Sequence, residues 1–394
     1  MGSKVEFFMV YMLDLDCRRG EISARNDRRL RADLARLKEL GLTGVDYEGA
    51  SRGVGPDSYY QAEFMLHVMD LAHEHGLKVI MNVFNGGVQR YLSPASEKPG
   101  YWYEEGLRND WIARDHLARL TTYWNLYDPE WRGSQLIPYL KNYARHYSSH
   151  PAFGGYRTGD TLMPAGAWND ANKPLFQGWL KEKYGDTGNL SQAWGEKVRN
   201  WDEVDLPRFF CPWAQKWNDW VEAQNHFLAD WAQDFAAAIR SVDPDTRNHK
   251  IRIFAPHWMC FGEGDLYRGF TRELFDPFES VSAFANFPAE RWTMERAMVH
   301  MERTLESLRR LAPGKELGIM DFPGPRLGLA PDQMYSDERM LGIIRKALEC
   351  GCGLIHYDGY RKSIKQTAVA YQQTLVFHQE LLEKLGRLHH EVNG

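Results

Sequence analysis

The chain has 394 residues, of which 43% are hydrophobic and 26% charged, a composition typical of globular rather than disordered proteins. Lysine and arginine (48) nearly balance aspartate and glutamate (53), and a net charge of −5 argues against nucleic-acid and anionic-membrane partners. The longest apolar run, Phe7–Leu13, is far shorter than the roughly 18 residues of a membrane span. Five scattered cysteines and the lack of a signal peptide predict a soluble, cytoplasmic protein.

Short apolar runs alternate with amphipathic helical segments from one end of the sequence to the other. In the first unit, Phe7–Leu13 is a predicted strand, leucines from Leu30 to Leu40 recur at helical spacing, and Gly41 ends the helix. The same reasoning predicts seven further strands: Gly44–Glu48, Lys78–Phe84, Phe153–Asp160, Ile251–Pro256, Ser280–Phe287, Glu316–Asp321 and Gly353–Asp358.

Helices are predicted between these strands and after the last one, at Phe64–Ala72, Trp213–Arg240, Thr293–Leu311, Gln333–Cys350 and Ile364–Leu388. Eight strands that alternate with helices predict an α/β fold, the (β/α)₈ TIM barrel, in which function lies at the carboxyl ends of the strands. An open doubly wound sheet would need a glycine-rich phosphate loop after the first strand, and Asp14–Arg18 contains no glycine. We therefore predict one barrel over residues 1–394, with long insertions after strands three and four at about residues 85–150 and 161–250.

Polar side chains follow nearly every predicted strand, so they should meet at one rim of the barrel: Asp14, Asp16, Glu48, Asn82, Asn85, Asp160, His257, Asn286, Asp321, His356 and Asp358. Each one alone could simply solvate the rim, but their convergence favours a site. Carboxylates together with aromatic rings are typical of carbohydrate sites. The aromatic residues between Tyr101 and Trp131 could stack on sugars or fill a second small core.

Several motifs near the fourth and the last strands carry a resemblance to a known family. They are His150–Tyr156, Leu175–Gly185 with the pattern F-x-x-W-L-K-x-K-Y-G, Leu190–Gly195, Ile319–Gly324 and Ile355–Ser363. Together they resemble the catalytic barrel of the family-42 glycoside hydrolases, the clan-A β-galactosidases. The resemblance implies a (β/α)₈ barrel of glycosidase ancestry and a carbohydrate substrate, and we expect no cofactor.

The catalytic positions of this sequence differ from those of the family it resembles. The family ends its fourth strand with Asn-Glu, the glutamate being the acid/base, whereas the present sequence reads Tyr-Arg-Thr-Gly-Asp-Thr over residues 156–161. Without a gap, Thr161 takes the glutamate position, and with a one-residue shift Asp160 takes it. On the seventh strand Asp321 takes the place of the nucleophilic glutamate, so this position keeps its carboxylate.

The change from glutamate to aspartate suggests a hypothesis about stereochemistry. Retaining glycosidases hold their carboxyls ~5–5.5 Å apart and inverting ones ~6.5–9.5 Å. Each shortened side chain withdraws a carboxyl by about 1.5 Å, so an Asp160/Asp321 pair would be separated by roughly 7–8 Å, within the inverting range. In the retaining alternative Asp321 attacks the anomeric carbon and Asp160 acts as acid and then as base. Tyr156 is expected to raise the pKa of the acid by desolvation, and Arg157 to be structural.

Further candidates and two other functions stay open at this point. Glu48 is a second candidate for the acid, and we expect sugar contacts from Asn82, Trp168, His257, Trp258, Asn286, Tyr357 and Asp358. A metal-dependent hydrolase or isomerase could use His257, His356 and nearby carboxylates, although no H-E-x-x-H motif occurs. A non-catalytic sugar-binding barrel is the third reading. The aromatic-rich rim is also compatible with a homodimer.

Overall fold

A computed structural model of the chain describes residues 4–11, 24–47, 62–84, 112–115, 117, 120–158, 167–208, 211, 213–255, 270–285, 293–321, 337–357 and 383–394. Its main feature is a set of eight parallel strands: β1 (Glu6–Tyr11), β2 (Gly44–Tyr47), β3 (Lys78–Phe84), β6 (Phe153–Thr158), β7 (Ile251–Ala255), β8 (Ser280–Ala285), β9 (Glu316–Asp321) and β10 (Leu354–Tyr357). They close into a barrel in the order β1-β10-β9-β8-β7-β6-β3-β2. The predicted TIM barrel is confirmed.

The strands form where the sequence is most continuously apolar, because each is covered on one side by helices and on the other by the barrel interior. β3 and β9 have the predicted bounds. The other six lie within the predicted ranges, except that β1 begins one residue earlier, at Glu6. Because both faces of these strands are buried, their sequences are continuous runs of β-branched and aromatic residues, and such runs made the strands predictable.

Helices surround the barrel: α1 (Ala24–Glu39), α2 (Ala62–Glu74), α3 (Pro129–Trp131), α4 (Ile137–Tyr147), α5 (Lys173–Tyr184), α6 (Thr187–Trp194), α7 (Gln215–Arg240), α8 (Arg272–Phe275), α9 (Met294–Leu311), α10 (Asp337–Glu349) and α11, residues 383–393. The turn after α1 contains Gly41 at a φ of 78°, a left-handed position that favours glycine. The Thr293 hydroxyl caps α9 by accepting the Arg296 amide hydrogen. Among the described helices, none is long and apolar enough to cross a membrane.

The first insertion contains elements that were not predicted. β4 (Ile112–Arg114) and β5 (Leu120–Trp124) form an antiparallel pair, and a π-helical turn, Arg132–Leu136, joins α3 to α4. Trp124 stacks on the fully buried Trp131 with ring centroids 5.2 Å apart. These two tryptophans therefore fill a core instead of presenting stacking surfaces. The aromatic residues at positions 101–111 lie outside the described part of the chain.

The inside of the barrel combines two small apolar clusters with charged side chains. One cluster is Phe8, Ile80 and Leu354, and the other is Val10, Phe254 and Met320. Among the described residues, four acidic or basic side chains that are at most 2% exposed lie on the strands around them: Asp46, Arg157, Arg252 and His356. Charges buried this deeply are costly unless they are paired. The charged side chains of this interior are therefore expected to be paired.

The segment before β1 is fastened by the last helix. The Asn393 side chain accepts the Val5 amide hydrogen at 2.8 Å and donates to the Val5 carbonyl oxygen at 3.0 Å. The nearby His389 ring packs edge-on against Phe7 with centroids 5.2 Å apart. α11 therefore packs against the outer face of β1.

Gly155 of β6 is a position where any side chain should be destabilising. Its φ is +112°, and an added Cβ would lie 2.5 Å from the Lys250 carbonyl oxygen and 2.7 Å from Arg252 Nη1. Backbone strain and overpacking together are expected to cost Gly155→Ala about 2–5 kcal/mol in the free energy of unfolding, measured by urea titration.

Gly178 on α5 provides the matched control for that measurement. A Cβ there meets nothing within 4 Å, so Gly178→Ala should stabilise the protein by about 0.5–1 kcal/mol. Equal stabilities of the two variants would contradict the packing argument for Gly155.

Candidate active site

The carboxyl edge of the barrel contains the candidate nucleophile. Asp321 is the last residue of β9, and its backbone is in register with Ala285 of β8 and Tyr357 of β10. Its side chain lies outside the described part of the structure. Since all strands of the barrel run in parallel, Asp321 is at the rim where function resides in this fold.

Six other candidate residues lie outside the described ranges, one to three residues after the described ends of β2, β6, β7, β8 and β10. They are the candidate acids Asp160 and Glu48 and the candidate sugar contacts His257, Trp258, Asn286 and Asp358. Their positions in the chain are those of the rim segments, and their roles stay predictions.

Three candidate sugar contacts can be placed. Asn82 is fully buried on β3, in register with Arg157, and Tyr357 is 1% exposed at the end of β10. Trp168 is half-buried before α5, where its indole donates to the Pro207 carbonyl oxygen at 2.6 Å and its ring stacks on Trp217. The insertion thus holds the Trp168 ring in a fixed orientation.

Tyr156 does not have the surroundings that were predicted for it. Its hydroxyl donates to Asp243 Oδ2 at 2.7 Å, and its ring packs on Phe153 in the main core under the helices. Burial, reinforced by the Asp243 carboxylate, raises the pKa of Tyr156. The prediction that Tyr156 desolvates the catalytic acid is therefore wrong in its placement of this ring, because the alternation along β6 turns Tyr156 outward and Arg157 inward.

Arg157 takes part in a buried network that spans three strands. Arg157 Nε donates to Asp46 Oδ1 at 2.8 Å, and His356 Nδ1 lies 2.8 Å from Asp46 Oδ2. All three side chains are 0% exposed. We call Asp46, Arg157 and His356 the interior triad. The prediction that Arg157 serves a structural role agrees with this position, whereas its two partners were not foreseen.

The charges of the interior triad follow from its surroundings. Burial disfavours the Asp46 carboxylate, but the Arg157 charge and the His356 ring outweigh it and hold the pKa of Asp46 below its usual value. Burial lowers the pKa of His356, and the Asp46 carboxylate offsets this effect only in part. At neutral pH the triad is therefore a single ion pair, Arg157⁺ with Asp46⁻, beside a neutral His356 ring whose Nδ1 lies 2.8 Å from Asp46 Oδ2.

Aromatic rings enclose the triad on both sides. The Arg157 guanidinium lies over the Phe254 ring, 4.9 Å from its centroid. His356 stacks with Phe8 at 5.9 Å and meets Phe254 edge-on at 4.8 Å. Since Phe8 and Phe254 belong to the two separate apolar clusters, the triad contacts both of them.

A second buried carboxylate organises the insertion between β6 and β7. Asp219 of α7 is 0% exposed and accepts hydrogen bonds from Lys183 (3.0 Å), Tyr184 (2.9 Å), Trp194 (2.6 Å) and Gln215 (2.8 Å). Lys183 and Tyr184 end the K-x-K-Y-G motif and Trp194 belongs to the A-W-G motif. Two of the five motifs that carried the family resemblance therefore meet at one buried acceptor, which points to a structural role for these two.

Metal binding was an alternative at the sequence level. Among the residues that the structure describes, no group of three or more His, Cys, Asp or Glu side chains is arranged to hold a metal ion. The candidate ligands His257, Asp358 and Glu48 are outside those residues.

Comparison with known proteins adds a family to this geometry. Residues 24–321 match the glycoside hydrolase family 42 described as β-galactosidase, a range that includes Asp160 and ends on Asp321. The chain belongs to glycoside hydrolase family 42. The predicted family is thereby confirmed, and the family-42 barrel accounts for the closed sheet and for the signature motifs around α5 and α6.

Individual family-42 relatives are distant in sequence. The β-galactosidase Bga of Halorubrum lacusprofundi is 23% identical over 54% of this chain and 31% of that protein. The solved cold-adapted β-galactosidase from Rahnella sp. R3 covers 99% of this chain with a TM-score of 0.75 at 14% identity. The β-galactosidase from the psychrophilic Marinomonas ef1 covers 97% with a TM-score of 0.69 at 17% identity. The chain spans 56% and 60% of these two structures, less than two thirds of either.

Proposed function

We propose that this family-42 barrel is a glycosidase that hydrolyses a glycosidic bond with Asp321 and Asp160 as its carboxylate pair. The observation that carries the proposal is the position of Asp321, which ends β9 at the carboxyl edge of a closed parallel barrel, inside the segment that matches the family. A carboxylate at that place can attack an anomeric carbon or activate water.

The proposed substrate is a glycoside or oligosaccharide, and β-galactosides are the first compounds to test. The three relatives described above bear the name β-galactosidase. Both catalytic positions differ from the family pattern, so other sugars and both anomeric configurations belong in the same experiment. In this scheme Asp160 protonates the leaving oxygen, with Glu48 as the alternative acid.

The test is a hydrolysis assay with a panel of nitrophenyl α- and β-glycosides and unmodified disaccharides, followed by proton NMR of the anomeric signals. We expect the wild-type protein to release sugar from at least one member. The first anomer observed then decides between inversion, which the shorter aspartates favour, and retention.

Two outcomes would replace the proposal. Binding of sugars in calorimetry without any hydrolysis would favour a non-catalytic sugar-binding barrel. Hydrolysis that EDTA abolishes and added Zn²⁺ or Mn²⁺ restores would favour a metal-dependent hydrolase.

A further inference from the structure

The interior triad joins three strands that precede three of the candidate site residues. Asp46 of β2 lies two residues before Glu48, Arg157 of β6 lies three residues before Asp160, and His356 of β10 lies two residues before Asp358. β2 and β6 are both neighbours of β3, while β10 lies two places from β2 on the other side. The contacts of Asp46 with Arg157 and His356 therefore cross the barrel interior and are not made between adjacent strands.

A barrel interior does not need such a network for stability. Replacing a buried ion pair with apolar side chains of similar volume often leaves stability unchanged or raises it, because the attraction within the pair barely exceeds the free-energy cost of desolvating its two charges. A buried ion pair does, however, impose a specific geometry. Arg157 Nε and Asp46 Oδ1 lie 2.8 Å apart, and this contact fixes the positions of β6 and β2 relative to each other along the barrel axis.

We propose that Asp46, Arg157 and His356 are positioning residues that set the relative placement of the carboxylate-bearing ends of β2, β6 and β10. This inference rests on the proposed glycosidase function. In this role the triad contacts no substrate. It holds the acid at the distance from Asp321 that catalysis needs, where an error of about 1 Å can cost a factor of 10² in rate.

The first test is a pH–rate profile of Asp46→Asn. This variant leaves Arg157 as an uncompensated cation, since arginine does not lose its proton, and the neutral His356 cannot balance it. Among the described residues, the other charged strand side chain that is at most 2% exposed is Arg252 of β7, whose guanidinium lies 3.7 Å from the Glu6 carboxylate. A new positive charge below the rim stabilises carboxylates, so both limbs of the profile should move to lower pH by about 0.5–1 unit. We also expect kcat to fall by about 10–100-fold with little change in KM.

The double variant Asp46→Asn/Arg157→Gln separates charge from position. It restores the net charge, so the limbs of the profile should return to the wild-type pH, whereas kcat should stay low because the two strands are no longer tied. Because the double variant removes both charges of the Asp46–Arg157 pair, neither is left buried without a partner. It can therefore be used to test the proposal if Asp46→Asn does not fold.

Tyr156→Phe is the matched control on the same strand. It removes a buried hydrogen bond to Asp243 on the outer face of β6 and should lower the unfolding temperature without changing kcat or the pH profile. If the triad variants behave like this control, with lower stability alone, the positioning role is wrong.

A second measurement tests the positioning role of the triad without relying on enzymatic activity. Hydrogen–deuterium exchange of peptides covering residues 48–52, 159–163 and 358–362 should rise in the double variant relative to Tyr156→Phe. Unchanged exchange in these peptides would overturn the inference, even if the wild-type protein hydrolyses none of the glycosides. Absence of hydrolysis together with raised exchange would leave the triad as a positioning network and remove the proposed function instead.

Discussion

Replacing Asp321 with asparagine is expected to reduce glycoside hydrolysis by about 10³-fold or more, while sugar binding in calorimetry stays within a few-fold of wild type. The substitution keeps the size of the side chain but removes the negative charge that, in the proposed function, attacks the anomeric carbon or activates the water. The measurement is the rate of nitrophenol release from whichever glycoside the panel identifies. Undiminished hydrolysis by Asp321→Asn would assign the chemistry to another residue.

Parallel variants of the two candidate acids show which one protonates the leaving group. Asp160→Asn and Glu48→Gln should be compared on a glycoside with dinitrophenol, which leaves without protonation, and on one with a poor leaving group. The true acid variant loses kcat/KM on the poor leaving group and keeps kcat/KM on dinitrophenol, because kcat/KM does not include the later step in which a retaining enzyme uses the same residue as base. A variant of the nucleophile or general base loses both.

Asp219→Ala is expected to lower the free energy of unfolding by about 2–4 kcal/mol. The substitution leaves four donors without their buried acceptor, among them the Trp194 indole at 2.6 Å and the Gln215 amide at 2.8 Å. Tyr184, whose pKa burial and Asp219 raise to about 12, should return toward an ordinary phenol. Urea titration and ultraviolet pH titration measure the two effects.

Glu222→Gln is the control for Asp219, because both carboxylates accept from the same Lys183 ammonium. Glu222 is 60% exposed, whereas Asp219 is fully buried. An exposed pair is worth about 0–1 kcal/mol, so Glu222→Gln should cost less than about 1 kcal/mol. Similar losses for the two variants would show that the charge of Lys183, and not the buried hydrogen-bond network, provides the stability.

The strands could be predicted because each is an apolar run between recognisable helix ends, and the parallel barrel follows from their alternation with helices. The π-helical turn was not predicted, because it depends on a single proline in an otherwise regular helical pattern. Pro138 has no amide hydrogen to donate to the Ser134 carbonyl, so the helix cannot keep its regular ladder there. β4 has only three residues, too few for its pattern to be distinguished from a loop.

Only part of the candidate site could be predicted from the sequence. Strand alternation correctly separated Arg157 from Tyr156, but nothing local indicated which of them faces inward. The partners Asp46 and Arg157 are 111 residues apart, and Asp219 is 25 to 36 residues from the motif residues that it binds. One local signal did exist: Asp219 is an acidic residue between Trp217 and Trp220 on the apolar face of α7. A charge in such a place indicates a buried partner.

The pairing that closes the barrel has a consequence for synthesis of the chain. β1 is hydrogen-bonded to β2 and to β10, so one of its edges stays open until residues 354–357 have left the ribosome. Until then Glu-Phe-Phe-Met-Val-Tyr, an apolar strand with an unpaired edge, is exposed to self-association. Ribosome-bound chains that stop before β10 should therefore depend on chaperones for solubility, and those that extend past it should not.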